Sequence, residues 1–360
     1  MSPPTGILLL NLGTPDQPTT KSVRMYLKQF LSDPRVLDLP APARWLLLRL
    51  FILPFRPKKS AAAYGEIWTE QGSPLLVHTA DLARAVQQRL GPEVSVRFAM
   101  RYQNPSMTSA LKAFAQQGVV RLIVVPLYPH YASSSSGSCL EQLYSFCARE
   151  WNVPALSVLP PFFDHPAFIQ SLAEVARESL GSLEQYDHFL FSYHGLPERH
   201  LTKTNSPHRP YCFQRSDCCE TLSAANSYCY RAQSLATTKM LAQRLGIPEG
   251  KYSSSFQSRL GRTPWIKPYT DEVLQQLPGG GCQRLAVLIP SFTADCLETL
   301  EEIQLRGRAS FMAAGGTHFH MVPSQNAHPS WVQALCRMIR ELGLPEIAKE
   351  AEPEPQQTRI

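Results

Sequence analysis

The sequence predicts an α/β fold of two similar lobes, each a parallel sheet flanked by helices. Four short apolar runs, at residues 6–11, 119–127, 188–193 and 285–290, each lead into a polar turn and a helix-like stretch. Each run is continuously apolar rather than alternating, as expected of strands buried on both faces of a parallel sheet. At 360 residues the chain exceeds the roughly 100 to 200 residues of one domain, which leaves room for two cores.

The first run stops at Gly13-Thr14-Pro15, and no basic segment precedes it, so it does not read as a secretory leader. A cytoplasmic chain is expected. Residues 37–55 are rich in Leu, Phe and Pro around Trp45, but Arg49 interrupts them and they are too short to span a bilayer. They suit an apolar flap on the surface or a core helix of the first lobe. Flanking Arg56, Lys58 and Lys59 favour peripheral contact of residues 37–59 with a membrane surface.

The second run is followed by Cys139-Leu140-Glu141 and the fourth by Cys296-Leu297-Glu298. Both read strand, proline-containing loop, helix, a weak internal repeat that supports two lobes and sets Glu298 near a helix start. The lobes divide as residues 1–170, with the apolar segment 37–55, and 171–335. Within the second, residues 202–230 are polar and rich in Ser, Pro and Cys, as an inserted loop would be. Residues 345–360, with Glu-Pro-Glu-Pro, predict a disordered tail.

Apolar residues at 44% and charged residues at 18% belong to a folding chain, not a disordered one. The net charge of +6 is dispersed, which argues against nucleic acid and suits an anionic surface or a small molecule bearing carboxylates. In a reducing compartment the nine cysteines read as thiols or metal ligands rather than disulfides.

Ligands of open α/β sheets bind beyond the carboxyl ends of strands. His194, in Ser192-Tyr193-His194-Gly195-Leu196-Pro197, stands at such an end, where a neutral imidazole accepts a proton or holds a metal; a satisfied core histidine is the plainer alternative. After the fourth run, Glu298 and Glu302 lie four residues apart, on one helix face. They form either a carboxylate path for a cation or an ordinary acidic first turn. A base facing a carboxylate path suits metal insertion, which must remove protons and desolvate an ion.

Nine strings in order resemble the ferrochelatase family over roughly residues 5 to 330: Gly6 to Pro15 (GILLLNLGTP), Tyr26 to Asp33 (YLKQFLSD), Gly72 to Leu75, Pro126 to Pro129, Ser192 to Pro197, Phe256 to Arg262 (FQSRLGR), Pro264-Trp265, Pro268 to Glu272 (PYTDE) and Cys296 to Ile303 (CLETLEEI). The resemblance implies two Rossmann-like lobes with the porphyrin cleft between them. It implies an enzyme that inserts Fe2+, its substrate, into protoporphyrin IX to form protohaem. His194 resembles the family's active-site histidine and Glu298 its partner carboxylate, with Glu302 the next step of an acidic row. Arg306, where several members carry another carboxylate, truncates that row. Arg101 and Tyr102 match a pair near the porphyrin in protoporphyrin-type enzymes, Trp265 falls in a porphyrin-facing motif, and residues 37–55 match a lip over the cleft. The alternatives are a porphyrin or haem carrier without chemistry, and a chelatase for coproporphyrin III or sirohydrochlorin.

Cys212, Cys218, Cys219 and Cys229 crowd the insert directly after the histidine strand. Four close thiolates suit an iron–sulfur cluster or tetrahedral zinc, or remain plain thiols. The adjacent Cys218-Cys219 pair is unusual for zinc, and the resemblance extends to bacterial ferrochelatases that hold a 2Fe-2S cluster in an internal insert. The other five cysteines are expected to be structural.

Overall fold

The computed structural model describes residues 4–204, 211–261 and 263–344. The expected tail at 345–360 lies outside the described residues, as do positions 205–210 of the insert. Two four-stranded sheets form. Strands β1 (Thr5–Gly13), β2 (Val94–Tyr102), β3 (Arg121–Pro126) and β4 (Ala155–Val158) are ordered β2-β1-β3-β4. Strands β5 (His188–His194), β6 (Tyr252–Gln257), β7 (Arg284–Leu288) and β8 (His318–Met321) are ordered β6-β5-β7-β8. Every pairing is parallel, and the second sheet repeats the order of the first. The four apolar runs are β1, β3, β5 and β7, the inner strands of the two sheets.

Alternation along these strands sends successive side chains into opposite cores. Ile7, Leu9, Ile123 and Val125 enter one cluster, while Leu8, Leu10, Leu122 and Val124 enter another. In the second lobe Phe189, Phe191 and Tyr193 point one way and Leu190, Leu285 and Val287 the other.

The lobes are not consecutive blocks of sequence. Helix Pro166–Leu180 runs through the expected 170/171 division, with Phe168 and Ile169 in the first-lobe core and Ala173, Ala176 and Leu180 in the second. The last helix, Pro329–Glu341, returns to the first lobe, where Trp331 is fully buried among Ile7, Leu9 and Phe168.

Residues Ala41–Leu47 form a short helix that continues as a π-helical turn, Leu48–Ile52. Leu48 alone of these is buried, while Trp45, Phe51 and Phe55 are 58%, 63% and 73% exposed. The segment is therefore a surface flap and not a core helix. No helix among the described residues is long and apolar enough to cross a membrane.

Candidate metal-insertion site

The site lies at the carboxyl ends of β5, β6 and β7. His194, half-buried, is the last residue of β5. Its Nδ1 is 2.6 Å from the Gly195 carbonyl. A carbonyl only accepts, so Nδ1 carries a proton, and in the neutral ring Nε2 is the nitrogen with the lone pair. The turn behind it demands glycine at 195: an added Cβ would lie 2.7 Å from the Gln257 carbonyl and 3.3 Å from the Trp265 ring. Trp265 is buried here, its indole N–H donating to the Leu260 carbonyl at 2.9 Å, so it backs the histidine turn.

Glu298 opens a ten-residue π-helix, Glu298–Gly307. Bonds from i to i+5 turn the chain by roughly 80° per residue, so a four-residue step comes nearly full circle. Glu298 and Glu302 thus share one face, as the spacing predicted, although the helix is not α. Ser258 meets the Glu302 carboxylate with its amide, at 2.8 Å, and with its hydroxyl. To do so Ser258 adopts φ +67°, a left-handed conformation that non-glycine residues hold only when neighbours fix it. Burial above all, and then the charge of Glu298, pushes the Glu302 carboxyl above the ordinary carboxylate range, against the Ser258 bond and the opposing influences of His194 and Arg306. Glu302 is therefore within electrostatic reach of both His194 and Glu298. Arg306 itself is drawn off to Glu301, 2.7 Å away.

The first lobe closes over Glu298. Leu297 and Leu300 pack on the cluster of Tyr26, Leu48, Tyr64 and Tyr102. Burial raises both the Tyr26 and Tyr64 hydroxyls, and the Glu298 charge adds to it. Both therefore stay neutral around neutral pH. Cys296, expected to be structural, also faces the site: its thiol hydrogen-bonds Glu298, and burial first, then that carboxylate, pushes it well up.

Arg101 and Tyr102 come together, but on Asp33. Arg101 Nη2 and the Tyr102 hydroxyl each lie 2.8 Å from Asp33 Oδ2, and Ser138 joins them. Burial works to raise the Asp33 carboxyl, yet the bonds from Ser138, the Arg35 amide and Tyr102, with the Arg101 charge, hold it below its usual value. This network stiffens the first-lobe wall. At the lip stem, Asp38 accepts from Arg199 Nε at 2.7 Å and Lys203 Nζ at 2.7 Å, joining the lip to the helix Glu198–Thr202 that follows His194.

Sequence reasoning missed Gln257, Ser258, Ser291 and Cys296 as parts of the site. The first two were in view within Phe256 to Arg262, and their place at the end of β6 was the signal that could have found them.

The four insert cysteines converge. Sγ of Cys218 and Cys219 are 3.6 Å apart, Cys219 and Cys229 are 3.7 Å apart, and Cys229 hydrogen-bonds Cys212. All four are buried. The Cys229 bond lowers the Cys212 thiol, whereas Cys229 is pushed up to about 11, chiefly by the same bond. Arg231 adds positive charge beside the sulfurs, and its buried Nε has no hydrogen-bond partner among the described residues. Asn226 braces the loop by donating to the Cys218 and Thr221 carbonyls at 3.0 and 2.9 Å. The contacts run pairwise along the four sulfurs; no group of three or more metal-ligating side chains among the described residues surrounds one common ion position.

A family model described as Ferrochelatase matches residues 4–342. Proteins named ferrochelatase are similar to this chain at 44% identity in Coxiella burnetii, covering 93% of both chains, and at 47% in Pseudomonas entomophila, covering 92% of this chain and 97% of that one. One from Legionella pneumophila is 42% identical over 93% of this chain and 98% of its own. Among solved structures, SirB from Bacillus subtilis with Fe3+ superposes at a TM-score of 0.54 and 11% identity, covering 94% of this chain and 95% of that one. At that identity the likeness concerns the fold.

Proposed function

The chain belongs to the ferrochelatase family, lyases that insert iron into a porphyrin for haem synthesis, and we propose that His194 and Glu298 carry the insertion, with protoporphyrin IX as the macrocycle. The observation that carries this assignment is the bond of His194 Nδ1 to the Gly195 carbonyl, which leaves Nε2 open in the neutral ring, at a strand end paired with Gln257, whose side chain bonds the Glu298 backbone.

Insertion replaces two pyrrole protons by one Fe2+, so charge balances only if protons leave as the ion enters. His194 Nε2 accepts a pyrrole proton. Glu298 holds the ion opposite and loosens its water shell. Glu302, which keeps its proton to higher pH than an ordinary acid, passes protons along the same helix face. Cys296 and the neutral Tyr26 and Tyr64 surround Glu298 without supplying competing charge. Arg101 and Tyr102, which match the protoporphyrin type, shape the wall through Asp33, and Trp265 supports the histidine turn from behind. The apolar lip covers the macrocycle. Its exposed Trp45, Phe51 and Phe55 beside Lys58 and Lys59 support peripheral contact of a cytoplasmic protein with a membrane surface.

In the insert, Cys212, Cys218, Cys219 and Cys229 fit a 2Fe-2S cluster. Four buried thiols drawn together beside the Arg231 charge support a metal group here, and the adjacent Cys218-Cys219 pair, unusual for tetrahedral zinc, favours the cluster. When bound, it supplies a redox-sensitive crosslink of the loop.

Rates of metal insertion on protoporphyrin IX, coproporphyrin III and sirohydrochlorin test the substrate assignment, which falls if either of the others is turned over faster. Protein purified without air should be brown, with about two irons per chain. A colourless protein carrying one zinc would replace the cluster with zinc.

A further inference from the structure

One side chain joins the cysteine centre to His194. Cys229 is the N-terminal cap of the helix Tyr230–Leu245, so whatever fixes Cys229 fixes the first helical residue, Tyr230. Tyr230 is buried, and its hydroxyl hydrogen-bonds Ser291. The Ser291 hydroxyl oxygen in turn accepts the His194 amide N–H at 3.2 Å. This last bond answers a need of the sheet: pairing of β5 with β7 stops at Phe191 and Leu288, which leaves the His194 amide with no ladder partner on that side.

A second contact runs in parallel. The Tyr230 ring lies 5.8 Å from the ring of His130, which meets Tyr193 edge-on at 5.4 Å. Tyr193 is the residue before His194. His130 is fully enclosed, and burial lowers its pKa to about 3, so it stays a neutral spacer between the two tyrosines. Both routes from Cys229 to His194 pass through Tyr230.

We propose that Tyr230 is a positioning residue that makes the setting of His194 depend on whether the cysteine centre is filled; this rests on the assignment of a metal group to Cys212, Cys218, Cys219 and Cys229. A filled centre holds Cys229 and the start of the helix, which keeps the Tyr230 hydroxyl on Ser291 and Ser291 on the His194 amide. An emptied centre releases the first turn, where helical residues have fewest backbone bonds, and the His194 amide opens to water.

Amide hydrogen exchange over residues 192–196 tests this in full-length protein, as purified without air and after its metal is stripped by a chelator. Stripping the wild type should speed exchange there at least fivefold. Tyr230→Phe, which keeps the ring, should exchange at the stripped rate with its centre still filled, and lose several-fold in kcat at unchanged porphyrin KM. Ser291→Ala cuts the route at its far end, away from the cysteine loop, and should do the same, which covers a Tyr230→Phe protein that loads poorly. Wild-type exchange and kcat in a filled Ser291→Ala protein overturn the proposal, as does a stripped wild type with unchanged exchange. A wild type with neither iron nor zinc at the cysteines overturns the centre, and the coupling with it.

Discussion

Gln257 Nε2 donates a 2.8 Å hydrogen bond to the backbone carbonyl of Glu298. The same residue accepts from the Gly195 amide through its own carbonyl at 2.8 Å, and from the Ser192 hydroxyl through Oε1 at 2.8 Å. One glutamine at the end of β6 therefore sets the distance between the histidine turn and the glutamate helix. Gln257→Leu keeps the bulk and removes these two side-chain bonds together with a longer one, 3.5 Å, to the Glu302 carboxylate. It should lower kcat about tenfold with little change in porphyrin KM, because misplacement costs the chemical step more than binding. An unchanged kcat in steady-state assays would free Gln257 of this role.

His194→Ala and Glu298→Ala should each reduce iron insertion by at least about 100-fold, the scale on which a positioned acid–base group acts. Half-burial of both residues means that neither truncation opens a core cavity, so circular dichroism and Tm should stay close to wild type. Turnover within a few-fold of wild type in either variant removes that residue from the mechanism.

Glu302 titrates above the ordinary carboxylate value of 4.5. In that window the folded protein binds a proton that the unfolded chain has released, so the contribution of this group to stability is full below 4.5 and is lost as pH rises through the raised value. Glu302→Gln does not titrate. The Tm of the variant minus that of the wild type should therefore climb with pH across the window, whatever its sign at the acidic end. A flat difference would show that Glu302 has an ordinary pKa.

Membrane contact rests on the lip. Replacing Trp45 and Phe51 together by glutamate removes two exposed aromatic surfaces and adds charge of the wrong sign for an anionic bilayer. Sedimentation with vesicles containing phosphatidylserine should fall at least tenfold, while circular dichroism stays that of the wild type. Equal sedimentation of both proteins would assign the apolar lip to the macrocycle alone.

How much of this was legible in the sequence depended on burial. β1, β3, β5 and β7 were visible because inner strands of a parallel sheet are apolar without interruption. Edge strands are not, and β6, with Tyr252-Ser253-Ser254-Ser255-Phe256-Gln257, has no such run. Its polar residues find partners on neighbouring elements, Ser253 with His188 of β5 at 2.8 Å and Ser255 with Thr270 at the start of the following helix at 2.8 Å, so the pattern that marks a strand is absent. Gln257 and Ser258 were hidden with it. His194 and Glu298 were legible because each follows an inner strand. The role of Arg101 was only half legible: its place beside Tyr102 was expected, but its bond to Asp33, 68 positions away, needs the fold. Convergence of the four cysteines followed from their nearness in sequence.

The return of Pro329–Glu341 to the first lobe has a consequence during synthesis. While only the first half of the chain has left the ribosome, Ile7, Leu9 and Phe168 have no Trp331 or Leu335 to cover them. The first sheet can form early, but one of its faces stays open until nearly the whole chain is made. Completion of the first lobe therefore waits on the second, and a nascent chain halted before residue 329 would present that apolar face to chaperones or to other nascent chains.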